Sequence, residues 1–246
     1  MVQKKLNEFL GVITAIEEVA TDIYKYTIYV GEAPAPDLCY AIRLGVPGRG
    51  VTRPFSPVKY KNSLVECIIK IYPCDAGKED SMFTPNLRKL LVGAELTVLW
   101  YTPKYSIAQI LRSECPPVCM ISAGTGITPM LQILQHASDT KSRCAFFLIN
   151  VCESSQHNIL GRHKGEYGSL DVSLQSNFTD GKDRAYVLEN LKNMILDRHE
   201  KRPQKDTIYL VCGPDSFVSA LAGERKGAYG GILMQLGVPE AQCFKF

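Results

Sequence analysis

Most of the features that identify a function at a glance are missing from this sequence. It has one tryptophan and four histidines, and nothing accompanies Cys115-Pro-Pro-Val-Cys119 to complete a zinc or iron–sulfur ligand set. No metal site is expected. The absence of a Gly-x-Ser-x-Gly elbow argues against a hydrolase built on that turn. No apolar run approaches the roughly 20 residues of a spanning helix. Met1-Val2-Gln3-Lys4-Lys5 opens into mixed polar sequence, without the apolar core of a signal peptide. Charge of one sign is also missing, with 28 Lys and Arg against 25 Asp and Glu, too small a surplus to imply a nucleic-acid partner. There is no internal repeat and no low-complexity tract. Nine cysteines, an odd number, lie scattered at 39, 67, 74, 115, 119, 144, 152, 212 and 243; several sit inside apolar strands, which reads as buried free thiols in a reducing compartment. The expectation is a soluble, cytoplasmic, monomeric protein with no membrane-spanning segment, an anchor outside the sequence being left open.

What is present is an ordinary globular composition, 246 residues at 46% hydrophobic content, enough for one large core or two medium ones. The first half carries strand signals at 11–16, 23–30, 38–46, 64–72 and 95–101, β-branched and aromatic runs between Gly, Pro and Asn turns. That density of short strands predicts a small antiparallel barrel. From Val118 the pattern becomes strand (118–122), helix (128–136), strand (143–151), helix (187–198), strand (207–211), then a helix and a last short segment at 243–246. Such alternation predicts a parallel sheet with crossover helices. The periodicity breaks near 111–117, placing domains at 1–112 and 113–246. Residues 156–179, with His157 and His163, read as a surface excursion beside a ligand cleft.

Residues 119–130 run from a short apolar strand through Gly124-Thr125-Gly126 into an amphipathic helix. Gly124 and Gly126 remove the side chains that would bar a ligand from the backbone, and Pro129 suits a first helical turn because its missing N–H is unneeded there. A helix start offers free N–H groups and a partial positive charge, a fit for a pyrophosphate, although tight Gly turns also join strands to helices for structural reasons alone. In the first half, Arg53-Pro54-Phe55-Ser56-Pro57-Val58 combines a guanidinium able to clamp phosphate, a ring able to stack and a hydroxyl able to meet a ring nitrogen; a turn with an edge strand is the plainer alternative. At 82–87, Thr84 has the chemistry of an N-cap with Pro85 at the first helical position, again either an anion site or a simple capped helix. The strand 208–211 ends in Cys212-Gly213-Pro214, which places a thiol at the carboxyl edge of a sheet, where open α/β folds bind ligands.

Taken in order, Arg53 to Val58, Ile68-Ile69-Lys70-Ile71-Tyr72, Phe83-Thr84, Gly124 to Met130, Cys212-Gly213-Pro214 and Cys243 to Phe246 resemble the ferredoxin–NADP reductase superfamily, and within it the NADH–cytochrome b5 reductase family. The resemblance covers nearly the whole chain. It implies a two-domain fold, an antiparallel β-barrel FAD domain followed by an α/β parallel-sheet nicotinamide-nucleotide domain, with flavin in the cleft between them. It further implies that Arg53 contacts the FAD pyrophosphate with Pro54 holding the strand extended, that Phe55 packs along the flavin, and that Ser56 reaches toward flavin N5. Ile68, Lys70 and Tyr72 would line the cofactor, and Phe83 and Thr84 would begin the helix facing the pyrophosphate. Gly124, Thr125, Gly126, Thr128 and Pro129 would cradle the pyridine nucleotide, and Cys212, Gly213 and Pro214 would lie near the nicotinamide. Ser56 and Cys212 are the catalytic candidates.

Departures from the family pattern bear on function. Phe55 stands where the family usually has Tyr, and Asp80-Ser81-Met82-Phe83-Thr84 lacks the usual Gly-Lys pair. Asn158 stands where the family carries an Asp that repels the extra phosphate of NADPH, so NADPH is expected to be tolerated, with Arg162, His163 or Lys164 as partners for that phosphate. The implied activity is hydride transfer from NADH to FAD, then single electrons to a haem protein such as cytochrome b5. The alternatives are a flavin reductase for another acceptor, such as a ferric chelate, a quinone or an iron–sulfur protein, and a degenerate FAD-binding module without catalysis.

Overall fold

The computed structural model describes residues 8–32, 38, 41–74, 82–100, 107–108, 111, 115–163, 165–167, 169–201 and 206–246. Its backbone divides into two compact units, residues 1–108 with 131–133, and residues 109–130 with 134–246.

The first unit contains β1 (Glu8–Ala20), β2 (Ile23–Tyr29), β3 (Ile42–Gly45), β4 (Thr52–Phe55), β5 (Lys59–Lys61), β6 (Leu64–Lys70), the helix α1 (Phe83–Arg88) and β7 (Glu95–Trp100). All strand pairs are antiparallel, in the order β4-β3-β7-β1-β2-β6-β5. The two edge strands are joined by Ser56-Pro57-Val58 alone. Laid flat, seven strands would hold their edges roughly 29 Å apart, whereas the four residue steps from Phe55 to Lys59 reach about 14 Å at most. The sheet must therefore roll into a barrel, and the Val58 N–H donating to Glu66 O at 2.8 Å draws the linker onto β6. Alternate residues line the interior: Val65, Cys67 and Ile69 on β6, Leu96, Val98 and Trp100 on β7, Tyr26 and Ile28 on β2. Asn62 and Ser63, both at positive φ, turn β5 into β6 with the backbone of a two-residue hairpin loop. Pro54 is tolerated because β4 is an edge strand.

The second unit holds β8 (Val118–Ala123), α2 (Thr128–Asp139), β9 (Ala145–Cys152), α3 (Ile159–His163), β10 (Asp171–Phe178), α4 (Arg184–Lys201), β11 (Ile208–Cys212), α5 (Asp215–Ala222), α6 (Gly231–Gln235) and β12 (Cys243–Lys245). Its five strands are all parallel, in the order β10-β9-β8-β11-β12. From β8 the chain moves outward one way through β9 and β10, then returns to build β11 and β12 on the other side. The order thus reverses between β8 and β11, and their carboxyl ends flank the switch point at which open α/β sheets bind ligands. One sheet face packs Cys119, Ile121, Phe147, Ile149, Tyr209 and Val211 against α4, α5 and α6 through Val187, Leu191, Ile195, Val218, Leu221 and Leu233.

Two expectations are corrected here. Residues 156–179 are not simply a surface excursion, because they contain the strand β10. Its Ser173 and Gln175 are exposed and, among the described residues, it pairs on one side only, with β9, so it lacks the apolar run that marks an inner parallel strand. The carboxyl-terminal helix is two short ones, α5 and α6, separated at Gly223 and Gly231, both at positive φ.

Candidate functional site

In the barrel unit, the expected residues gather where β4, the end of β6 and α1 meet. Arg53 and Pro54 are exposed on β4. Arg53 Nη1 donates to Thr52 O at 3.5 Å, a weak bond that leaves a guanidinium available for an anion. Arg43, by contrast, is committed to Thr52, through Oγ1 at 2.7 Å and O at 2.9 Å. Phe55 lies 5.6 Å from the buried Phe83 ring, centroid to centroid, and keeps part of its own ring exposed. Ser56 follows, half-buried, at the start of the linker.

Val65, Cys67 and Ile69 turn inward on β6, so Ile68 and Lys70 occupy the opposite face. Lys70 Nζ lies 5.8 Å from the Tyr72 ring centroid, and Tyr72 is 52% exposed. Thr84 is corrected as an N-cap. Met82 occupies that position in an extended conformation, without a side-chain cap, and Thr84 Oγ1 accepts from the Tyr72 N–H at 3.3 Å. The hydroxyl therefore ties the end of β6 to α1. Asp80 and Ser81, part of the departure from the family loop, lie outside the described residues.

In the α/β unit, β8 enters a 3-10 turn, Gly124–Ile127, that continues into α2 without a break, Ile127 being already helical. The first N–H groups of a helical run have no carbonyl one turn behind them, so the unpaired donors fall on the Gly-Thr-Gly stretch. Gly124 has φ +53, and a Cβ there would meet nothing within 4 Å among the described residues; the backbone is open to an approaching ligand. Gly126 is the opposite case. Its Cβ would lie 2.5 Å from Cys212 O and 2.7 Å from Gly213 N, so this glycine lets the two turns at the switch point touch. Thr128, buried, donates from Oγ1 to Thr125 O at 3.1 Å and fixes the turn, and Pro129 lies in the first turn of α2.

Cys212, Gly213 and Pro214 sit at the end of β11, directly opposed. Burial pushes the Cys212 thiol up to about 11, against the pull of Arg225 and the Gly213 N–H, so the side chain is a neutral thiol near pH 7. Sequence reasoning missed Arg225, whose Nη2 donates to Gly213 O and whose Nε donates to Asp215 Oδ1 at 2.8 Å. No sequence signal links residues this far apart on one turn.

It also missed a polar row crossing the carboxyl edge, formed by Cys212, Ser122, Asn150 and Ser176 in register. Ser122 Oγ donates to Asn150 Oδ1 at 2.9 Å, while Asn150 Nδ2 is a buried donor with no partner among the described residues. The signal was legible as one polar residue ending each apolar run, Met120-Ile121-Ser122 and Leu148-Ile149-Asn150. Asn158 joins this edge. Its Oδ1 accepts from Gly161 N at 3.2 Å and from Ser176 Oγ at 3.3 Å, the first of these being the bond of a helix N-cap. Of the suggested phosphate partners, Arg162 is exposed, His163 Nδ1 is 2.8 Å from Glu166 Oε2, and Lys164 lies outside the described residues.

Within the α/β unit, an open glycine backbone at the start of a helical run is suited to a phosphate-bearing ligand, and within the barrel unit an accessible guanidinium is suited to one as well. Known proteins agree. A family model described as an oxidoreductase NAD-binding domain matches residues 120–222. The chain is 26% identical over 221 residues to NADH-cytochrome b5 reductase 2 of Aspergillus terreus, which aligns 81% of this chain with 64% of that protein. To NADH-cytochrome b5 reductase 2-A of Vanderwaltozyma polyspora it is 27% identical over 256 residues, with 95% and 82% covered. The fold matches the CS-b5R domains of human Ncb5or in the NAD+ form, at a TM-score of 0.73 and 22% identity over 99% of this chain and 70% of that one. It matches ferredoxin-NADP+ reductase of Plasmodium falciparum at a TM-score of 0.76 and 10% identity over 100% and 98%. Over residues 120–222 the chain matches the oxidoreductase NAD-binding domain, and its sequence is similar to that of NADH–cytochrome b5 reductases.

Proposed function

We propose that the chain is an FAD-dependent oxidoreductase that takes hydride from NADH, also accepts NADPH, and passes single electrons to an acceptor such as cytochrome b5. The observation that carries this reading is the pairing of the Gly-Thr-Gly and Cys-Gly-Pro turns at the switch point, in van der Waals contact only because residue 126 has no Cβ. FAD, when bound, supplies the hydride-accepting and electron-splitting chemistry.

The protein's part is to bind and orient. In the barrel unit Arg53 would hold the FAD phosphates, with Phe55, Lys70 and Tyr72 offering rings, stem and charge and Ile68 an apolar side chain; in the α/β unit the N–H groups at 124–126 would hold the phosphates of the pyridine nucleotide. Phe83 backs Phe55, and Thr84 fixes Tyr72. Cys212, neutral and held in a turn clamped by Arg225, would position the nicotinamide, and Ser56 would donate to the ring nitrogen that receives the hydride. No acid–base dyad is needed. The proposal includes a monomeric, cytoplasmic protein; no described helix is long and apolar enough to cross a membrane.

The test is steady-state NADH oxidation by the FAD-loaded protein, with ferricyanide and separately with cytochrome b5. Turnover with both is expected. Turnover with ferricyanide alone would move the assignment to another acceptor, and none with either would leave a non-catalytic FAD-binding module.

A further inference from the structure

Two cysteines away from both clusters described above share one acceptor. Cys115 Sγ donates to Leu111 O at 3.4 Å, and Cys144 Sγ donates to the same oxygen at 3.5 Å. The sulfurs are therefore no more than about 7 Å apart. A disulfide requires Cβ atoms about 4 Å apart and sulfurs about 2 Å apart, which is a modest approach for two thiols that already meet at one carbonyl.

The environments of the two differ in a useful way. Cys115 is exposed, at φ +43, a left-handed backbone that non-glycine residues rarely adopt. Cys144 is 1% exposed and immediately precedes β9. We propose that Cys115 and Cys144 are a redox-active dithiol that closes into a reversible disulfide, with a low-molecular-weight disulfide such as glutathione disulfide as the oxidant.

The chemistry proceeds in two exchanges. The Cys115 thiolate attacks one sulfur of glutathione disulfide, forming a mixed disulfide and releasing one glutathione, which takes up a proton. Cys144 then loses its proton to solvent and attacks the Cys115 sulfur, and the second glutathione leaves. Two protein thiols are oxidised to one disulfide, and one glutathione disulfide is reduced to two glutathiones. Access sets the order, because an oxidant in solution meets Cys115 and not Cys144. Burial also pushes the Cys144 thiol up to about 11, which keeps it protonated near pH 7 and leaves the first attack to Cys115. The bond would close a loop containing β8, the Gly124–Ile127 turn and α2, so oxidation would tether the strand–turn–helix segment of the nucleotide site at its base.

The experiment uses the FAD-loaded full chain, incubated with glutathione disulfide, alkylated under denaturing conditions and digested without reductant. Mass spectrometry is expected to find the Cys115 and Cys144 peptides linked, two of the nine cysteines protected from alkylation, and both restored by dithiothreitol. Cys115→Ser should abolish the protection, and Cys144→Ser should leave glutathione stranded on Cys115. Wild-type protein that keeps glutathione on Cys115, links Cys115 elsewhere, or leaves both thiols free would overturn the proposal, whether or not either variant folds. None of these readouts depends on hydride transfer.

Discussion

The two units present their candidate site residues in opposite ways. In the barrel the work falls to side chains: an exposed arginine on an edge strand, a half-exposed phenylalanine backed by another ring, and a threonine that braces a tyrosine. In the α/β unit it falls to backbone, with side chains absent where it matters, at Gly124 and Gly126, and elsewhere spent on holding the turns, at Thr128 and Arg225. A side-chain site should therefore lose affinity in steps when groups are trimmed, and a backbone site should fail when a group is added.

The sharpest break is Gly126→Ala. The new methyl would press on backbone atoms of Cys212 and Gly213, which cannot rotate away as a side chain can, and overpacking of this kind costs about 1–3 kcal/mol. NADH-dependent turnover should fall by about 100-fold or more, equivalent to roughly 2.7 kcal/mol, while FAD content is kept. Rapid-reaction kinetics on the flavin-loaded variant would check this; loss of flavin with unchanged hydride-transfer rate in the remainder would reverse the assignment of the two units.

Arg53→Ala tests the other side. A charge-assisted bond to phosphate is worth about 1.5–3 kcal/mol, so FAD should bind roughly 10- to 100-fold more weakly by titration of flavin fluorescence. Arg53→Lys should recover part of the loss, as a point charge without the bidentate fork. Affinity unchanged in both would remove Arg53 from the site.

Alkaline pH separates the units through their thiols. Among the described residues, desolvation raises Cys144 and Cys152 to about 11 and Cys119 to about 12, all three buried in the α/β unit, and it also raises Cys67 in the barrel. An unfolded cysteine ionises near 8.5. The stabilisation from keeping these thiols neutral is fully present below that pH and is lost as pH climbs toward the folded values, by up to about 1.4 kcal/mol per group per pH unit. Calorimetry from pH 8 to 10.5 should show the α/β transition falling faster than the barrel transition. Equal shifts would contradict the uneven distribution of buried thiols.

Asn158→Asp is the smallest change. The carboxylate keeps the cap on Gly161 N and adds a charge that repels a 2′-phosphate. NADPH efficiency should drop by roughly 10-fold relative to NADH, about 1.4 kcal/mol. An unchanged ratio of kcat/KM values would place the phosphate elsewhere.

How much of this could be read from the sequence follows the same division. The strand–turn–helix at 118–139 was legible because a buried parallel strand is a continuous apolar run and its turn is spelled by glycines. The Arg-Pro-Phe-Ser segment was legible because prolines restrict it to an extended edge. β10 was not, since Asp171-Val-Ser-Leu-Gln-Ser-Asn-Phe178 is largely polar and draws its stability from the ladder to β9. Thr84 was misread because Thr-Pro favours a cap locally, whereas a tertiary bond to Tyr72 N claims the hydroxyl. Arg225 and the Ser122–Asn150 pair depend on register between distant segments, which local patterning does not encode.

The measurement that bears most directly on the central claim is anaerobic mixing of the FAD-loaded protein with NADH, following the visible flavin band. Bleaching in a single turnover, with NADPH also effective, is the predicted result. A flavin that stays bound and oxidised after NADH is added would contradict it, because the backbone site at Gly124–Gly126 and the Cys212 turn would then not deliver a nicotinamide for hydride transfer.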